Sequence, residues 1–150
     1  MKIAFLLALL CCASTHVARA GQAQTIPLDD ATRAALPREQ ASGNAHGQPL
    51  SCEGVSLQAL LRAAGAMPEK PLRGADLSRT VLVQARDGYR AVFSLAELDP
   101  TLGARQVLLA DRCAGKPLDE ESGPLRLLVP QDARPARWVR QVQSITVQTP

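Results

Sequence analysis

Aromatic residues are scarce in this sequence, which has one Trp, one Tyr and two Phe among 150 residues. Proteins that bind single-stranded nucleic acid stack the bases on aromatic side chains and present a strongly basic surface. The formal net charge here is only +3, and it falls further if the N-terminal segment is removed. We therefore set nucleic-acid binding aside.

Short catalytic motifs are missing as well. There is no GxSxG, HExxH, CxxC, GxGxxG or GxxxxGK pattern, which argues against serine hydrolases, zinc peptidases, thioredoxin-like enzymes and nucleotide-binding proteins. Beyond residue 20 there is one histidine, His46, in a polar segment where a solvated side chain is the simplest interpretation. The acids Asp119, Glu120 and Glu121 are consecutive rather than alternating, so they predict a solvated loop instead of a calcium site.

Residues 1–20 have the pattern of a secretory signal peptide. Lys2 is followed by an apolar run over residues 3–13, and the segment ends in the small-x-small sequence Ala18-Arg19-Ala20. The run is shorter than the about 20 residues that cross a bilayer, and no second run of that length follows. We expect cleavage after Ala20, a periplasmic or secreted protein, and no membrane span in the mature chain. A buried N-terminal helix is the alternative, but the run has no polar face.

Cleavage would change both the charge and the cysteine count. Two of the 17 basic residues lie in residues 1–20, which leaves 15 against 14 acidic residues. Two of the four cysteines lie there too, and Cys52 and Cys113 remain. In an oxidising compartment such a pair most simply forms a disulfide, whereas two separate buried thiols are the alternative.

The remaining 130 residues are enough for one domain with a hydrophobic core. We expect a mobile lead-in over residues 21–27 and the domain over 28–150. Ser56 and Ser94 are candidate N-caps, and Glu97 completes a capping box with Ser94. Local patterns predict helices over 28–36, 56–64 and 95–98, strands over 80–85, 89–93, 106–110, 125–129 and 144–148, and an irregular segment or edge strand over 38–49. Short helices mixed irregularly with strands indicate an α+β fold.

A set of arginines near the C-terminus is a candidate contact for a small anion or a protein partner. On a helical turn, a spacing of three places guanidinium groups on one face. The alternative is a solvated surface whose charge is balanced by Asp132 and the acidic loop. The set consists of Arg126, Arg134, Arg137 and Arg140.

An ordered series of short sequence blocks resembles the sulfite-oxidase-type molybdopterin-binding domain, and more closely its short exported members. The resemblance covers roughly residues 28–148 and implies that family's α+β fold, a mixed sheet with short helices. In full-length members it implies a molybdenum–pterin cofactor that supports oxygen-atom transfer. The blocks are His46-Gly47-Gln48, Glu53 to Leu61 with Ala64-Gly65, Asp87-Gly88-Tyr89, Leu109 to Arg112, Gly115 to Leu118, Gly123 to Leu127 with Pro130, and Arg137-Trp138-Val139 with Ile145.

The sequence departs from this family at the metal ligand. Full-length members carry the molybdenum-binding cysteine in a Cys-x-Gly-Asn context upstream of the Gly-Val-x-Leu block, but residues 21–50 contain no cysteine. Cys52 lies only two residues before Gly54 and does not correspond to that ligand. Because a molybdenum centre needs a soft thiolate, no metal-binding or catalytic residue is assigned.

The export signal gives a second argument against the cofactor. The resemblance implies that the cofactor is inserted in the cytoplasm, so a loaded protein would have to cross the membrane folded, by the twin-arginine route. The signal has Lys2 and no arginine pair, as expected for export of an unfolded chain.

Two functions are therefore compared. The first is a cofactor-free binding or accessory module of a periplasmic redox or signalling system, with a small anion or a periplasmic protein as its partner. The second is a molybdopterin-dependent oxidoreductase that holds its cofactor through contacts other than cysteine. A purely structural subunit is a third possibility.

Overall fold

The computed structural model describes residues 21–150, so the expected signal peptide lies outside the described residues. The strands are β1 (Ala23–Thr25), β2 (Arg38–Ala45), β3 (Gln48–Ser56), β4 (Thr80–Ala85), β5 (Arg90–Ser94), β6 (Leu108–Cys113), β7 (Lys116–Pro117), β8 (Arg126–Leu128) and β9 (Val142–Gln148). The α-helices are α1 (Asp30–Ala34), α2 (Leu57–Ala63) and α3 (Leu95–Leu98), and 3₁₀ helices cover Gly74–Ser78 and Pro135–Arg137. This mixture is an α+β fold, as predicted.

The strands form two antiparallel sheets. The first has the order β1-β9-β4-β5; the second has the order β2-β3-β6-β7, with β8 also pairing with β6. Apolar side chains from both sheets, among them Val81, Ile145, Val55 and Leu108, belong to one hydrophobic core. Within residues 21–150, no helix is long and apolar enough to cross a membrane.

The elements with strong local signals lie where the sequence predicted them. Helix α2 begins at Ser56, whose hydroxyl accepts from the Ala59 backbone N–H at 3.5 Å. Helix α3 begins with the predicted capping box: the Glu97 N–H donates to the Ser94 hydroxyl at 3.1 Å, and the Ser94 N–H donates to the Glu97 carboxylate at 2.9 Å. These caps orient two short helices whose leucines are buried.

The segment 21–27, expected as a mobile lead-in, contains the strand β1. Strand β1 pairs with β9, the Ile26 N–H donates to the Ile145 carbonyl at 2.9 Å, and Ile26 is only 2% exposed. Non-local pairing therefore orders a segment that has no local strand pattern, and the domain begins before residue 28.

The segment 38–49 contains the edge strand β2, which is one of the two predicted alternatives. A two-residue turn at His46 and Gly47, with φ of 53° and 83°, joins it to β3. Strand β3 is not among the predicted strands because Pro49 and Gly54 interrupt its pattern. At Gly54 the chain passes so close to β6 that an added Cβ would lie 2.0 Å from the Leu109 carbonyl oxygen.

Candidate anion-binding site

Arg126 is a largely buried residue that forms no ion pair. It is 9% exposed, and its Nε, like those of Arg62 and Arg79, is buried without a hydrogen-bond partner. Arg62 and Arg79 pair with Glu69 and Asp76, but among residues 21–150 no acid forms an ion pair with Arg126. Burial lowers the pKa of this guanidinium below its usual value, and the nearby positive charge of Arg140 lowers it further, whereas the charge of Asp119 acts in the opposite direction.

Asp99 is a second buried charged residue, and its carboxylate oxygens both accept hydrogen bonds. Its carboxylate accepts from the Leu72 N–H at 2.9 Å, from the Thr101 N–H at 2.7 Å and from the Thr101 hydroxyl at 2.6 Å. These hydrogen bonds, led by the Thr101 hydroxyl, lower the pKa of Asp99. Asp99 therefore stabilises a loop. The side chain of Arg126 makes no comparable contact with the described residues.

The backbone places Arg126 opposite Arg140. Strand β8 pairs with β6 on one side. On the other side, the Leu127 N–H donates to the Val139 carbonyl and the Val142 N–H to the Leu125 carbonyl, both at 2.8 Å. These two bonds bracket Arg126 and align it with residues 139–142.

The acidic loop over residues 119–122 lies against the same place. The Gln141 N–H donates to the Ser122 carbonyl at 2.9 Å, and the Gln141 side chain donates to the Glu120 carbonyl at 2.8 Å. Glu121 forms an ion pair with Arg140, and both side chains are more than half exposed. Arg126 is thus bordered by a surface arginine, whose positive charge favours a small anion, and by the acids of the loop, whose negative charge opposes one.

The four predicted arginines do not share one helical face. Only Pro135–Arg137 is helical, as a single 3₁₀ turn, so the expectation of a common face is wrong. Arg134 is exposed and has no ion pair within the described residues. As the alternative interpretation predicted, Asp132 and the acidic loop balance Arg137 and Arg140.

Arg137 is fully engaged in a charged network. It donates twice to Asp132, at 2.8 Å and 2.7 Å, and once to Glu97 at 3.1 Å. Its guanidinium also lies 4.5 Å from the centre of the Phe93 ring. The hydrogen bond to Asp132 raises the pKa of Arg137 and lowers that of Asp132. Each nitrogen of its guanidinium donates within the protein, so Arg137 has a structural role.

A second charged surface lies in a groove of about 790 Å³ between α1 and the sheet of β3 and β6. Asp111 forms two hydrogen bonds with Arg38, at 2.8 Å and 2.7 Å, and one with Arg33 at 2.8 Å. The hydrogen bonds from Arg38 lower the pKa of Asp111. Arg112 pairs with Glu53 at 3.2 Å. Every charged side chain that lines this groove is paired.

The two cysteines within residues 21–150 form one disulfide with each other. Cys52 on β3 and Cys113 on β6 face each other across the sheet and form a disulfide, as predicted. Neither can serve as a thiolate ligand while that bond exists. Within residues 21–150, no group of three or more His, Cys, Asp or Glu residues is placed to hold a metal ion.

These features define a small α+β domain with an enclosed, unpartnered arginine. Residues 38–150 match the family model of the oxidoreductase molybdopterin-binding domain. Because the match covers most of the chain, this protein belongs to that family, and the resemblance found in the sequence is confirmed. A search of curated proteins finds no match.

A partial match to the Cys-x-Gly-Asn pattern occurs on β2. Ala41-Ser42-Gly43-Asn44 has the Gly-Asn pair of that pattern and alanine at its first position. Ala41 is 5% exposed and lies opposite Cys52 in the sheet.

The residues present therefore do not fit the family's molybdenum centre. That centre needs a soft thiolate, and both cysteines of the described residues are bonded to each other. Arg126 can pair with one anionic group, and such pairing needs fewer matched ligands than a metal site does.

Proposed function

We propose that this protein is a cofactor-free member of its family, exported from the cytoplasm, that binds a small anion at Arg126 as a binding or accessory module of a periplasmic redox or signalling system. The observation that carries the proposal is Arg126, a largely buried residue whose Nε has no hydrogen-bond partner and which forms no ion pair with the described residues. Leaving a buried charged donor unsatisfied costs about 1–3 kcal/mol or more. An anion that reaches it recovers this free energy and gains the attraction of Arg140.

Two further observations support the location and the loss of the cofactor. The disulfide favours an oxidising compartment, which agrees with the signal-peptide pattern of residues 1–20. The disulfide also leaves no free thiolate among residues 21–150 for the metal on which oxygen-atom transfer depends in the full-length enzymes. The competing function, a molybdopterin-dependent oxidoreductase with non-cysteine contacts, is favoured by family membership alone.

Analysis of protein purified from its native compartment separates these two functions. We expect no molybdenum by elemental analysis and no pterin fluorescence after denaturation. Stoichiometric molybdenum would contradict the cofactor-free proposal. Intact mass of the same sample, taken without reductant, tests export: the chain should begin at Gly21 and carry the disulfide. A chain that retains residues 1–20 would refute cleavage after Ala20.

Anion binding is tested by thermal unfolding with acetate, sulfate or phosphate at constant ionic strength. A ligand at 100 times its Kd stabilises the folded state by about 2.7 kcal/mol. We expect one of these anions to raise the Tm of the wild type and to have no effect on Arg126→Gln. The matched control is Arg134→Gln, which removes an exposed guanidinium and should keep the response. A response that survives in Arg126→Gln would place the anion elsewhere.

A further inference from the structure

A β-bulge brings two consecutive charged side chains of β6 into the groove beside α1. Successive residues of a regular strand point to opposite faces of the sheet. Glu53 pairs with Arg112, but the next residue, Gly54, pairs with Ala110, so Asp111 is an extra residue in β6. Such a bulge redirects side chains, and both Asp111 and Arg112 line the same groove of about 790 Å³. The irregularity of the sheet thus builds part of the groove wall.

The charged lining of the groove is a row in which hydrogen-bond donors and acceptors alternate. Asp111 Oδ2 accepts from Arg33 and from Arg38, both at 2.8 Å. Arg38 Nη2 lies 2.7 Å from Asp111 Oδ1 and 3.6 Å from Glu53 Oε1. Arg112 Nε lies 3.2 Å from that same Glu53 oxygen. Shared carboxylates therefore hold three guanidinium groups in one continuous row.

The outer part of this row is accessible, and its charges are balanced. The side chains of Arg38, Glu53 and Arg112 are 44%, 34% and 43% exposed. Asp30 at the rim pairs with Arg33, so the groove is lined by three arginines and three acids. An anion would have to compete with the carboxylates already present, and a cation with the arginines. The groove therefore favours a polar ligand without net charge.

The remaining lining of the groove is apolar and does not suit an extended peptide. It consists of Ala34, Pro117, Leu118 and Pro124, together with Gly115. A peptide that adds to a sheet as a strand needs a free edge with N–H and C=O groups. The edge strand beside the groove, β7, has only two residues, Lys116 and Pro117, and proline has no N–H.

We infer that this groove binds a neutral saccharide, with hydroxyl groups on the charged row and the C–H face of the sugar ring against the apolar residues. Each hydroxyl group both donates and accepts. Neighbouring hydroxyl oxygens of a sugar ring are about one hydrogen-bond length apart, as are the paired nitrogen and oxygen atoms of the row. One hydroxyl can therefore accept from a guanidinium while the next donates to a carboxylate, and no ion pair breaks. The volume is in the range of small-molecule sites. Arg126 does not line this groove, so the inference goes beyond the proposed function.

Probes that share one ring separate charge from shape. The neutral probes are the methyl glycosides of glucose, galactose and mannose, with maltose and cellobiose as longer ligands. The matching uronates carry a carboxylate, and the matching amino sugars carry an ammonium group. Binding is measured by titration with ligand-observed NMR on the full chain as purified. We expect a neutral glycoside to bind about tenfold more tightly than the uronate and the amino sugar of the same ring, because a charged probe must displace a member of an ion pair.

Variants assign the binding to the groove. Arg112→Gln removes a guanidinium beside Glu53 and should weaken the binding of the neutral glycoside about tenfold. Leu118→Ala reduces the apolar lining and should weaken it several-fold. Arg134→Gln is the matched control, because it removes an exposed arginine outside the groove and should leave the binding unchanged. Arg126→Gln should also leave it unchanged. A melting curve of each variant shows that it is folded.

The outcomes separate this inference from the proposed function. If no neutral saccharide of the set binds, the inference is refuted. If a uronate binds more tightly than the neutral glycoside and loses its affinity in Arg112→Gln, the groove is an anion site and the inference is again refuted. Binding that is unchanged in both Arg112→Gln and Leu118→Ala would place the saccharide elsewhere. None of these results decides whether an anion binds at Arg126, which the thermal-unfolding experiment tests separately.

Discussion

Replacing Arg137 with alanine should destabilise the protein much more than replacing Arg140, although both are arginines three residues apart in a basic surface segment. Arg137 is 28% exposed and makes three hydrogen bonds of 3.1 Å or less with Asp132 and Glu97. It also packs its guanidinium against Phe93. Arg140 is 54% exposed and pairs only with Glu121, which is 77% exposed.

The magnitude follows from these contacts. Hydrogen bonds to charged groups contribute about 1.5–3 kcal/mol, and a cation–π contact at a partly exposed site adds about 0.5–1 kcal/mol. Arg105 stays 2.9 Å from Asp132 and compensates part of the loss. We therefore expect Arg137→Ala to cost about 2–3 kcal/mol, or a fall in Tm of roughly 8–12 °C for a domain of this size. Arg140→Ala should cost less than about 0.5 kcal/mol.

The assay is thermal and urea unfolding of the two single variants beside the wild type, at pH 7 and low salt. Urea midpoints at constant m-value convert directly into free energies of unfolding. Similar values for Arg137→Ala and Arg140→Ala would refute the reasoning, because they would mean that the Asp132 network and the Phe93 contact contribute no more than an exposed ion pair.

Three other perturbations test the scaffold. Replacing Cys52 and Cys113 together by serine should cost about 4 kcal/mol in the chain-entropy model for a separation of 61 residues; a melting temperature that is unaffected by reductant in the wild type would contradict this. Gly54→Ala should cost about 3 kcal/mol or more, since the new Cβ meets the Leu109 carbonyl oxygen, and normal expression with an unchanged Tm would disprove the close approach. The pKa of Asp132 is lowered by Arg137, so its stabilisation is present above about pH 4 and is lost as pH falls towards the folded-state pKa; urea midpoints that stay constant from pH 7 to pH 3 would exclude it.

Much of the fold is predictable because its signals are local. Ser56 and Ser94 satisfy N–H groups of the helices that they begin, and the hairpin of β4 and β5 follows from alternating residues around Asp87-Gly88. The disulfide follows from cysteine counting. Each of these features depends on residues within a few positions or on a single pair, so the sequence alone can specify it.

The missed features are non-local. Strand β3 contains Pro49 and Gly54 and is ordered by pairing with β2 and β6, and β1 is ordered by β9. The same limit applies to the site: in the sequence Arg126 and Arg137 are equivalent members of one set. Only tertiary packing makes the first an enclosed charge without a partner and the second the centre of a network.

Ala41 and Arg126 are both buried, but burial stabilises the first and destabilises the second. A buried methyl group at position 41 is favourable in a core, so folding alone accounts for Ala41. A buried guanidinium without a partner is unfavourable, and an apolar residue of similar size would be expected to stabilise the domain. Folding therefore does not account for Arg126. The anion that we propose as its ligand would account for Arg126, because pairing with an anion compensates for the burial of the positive charge.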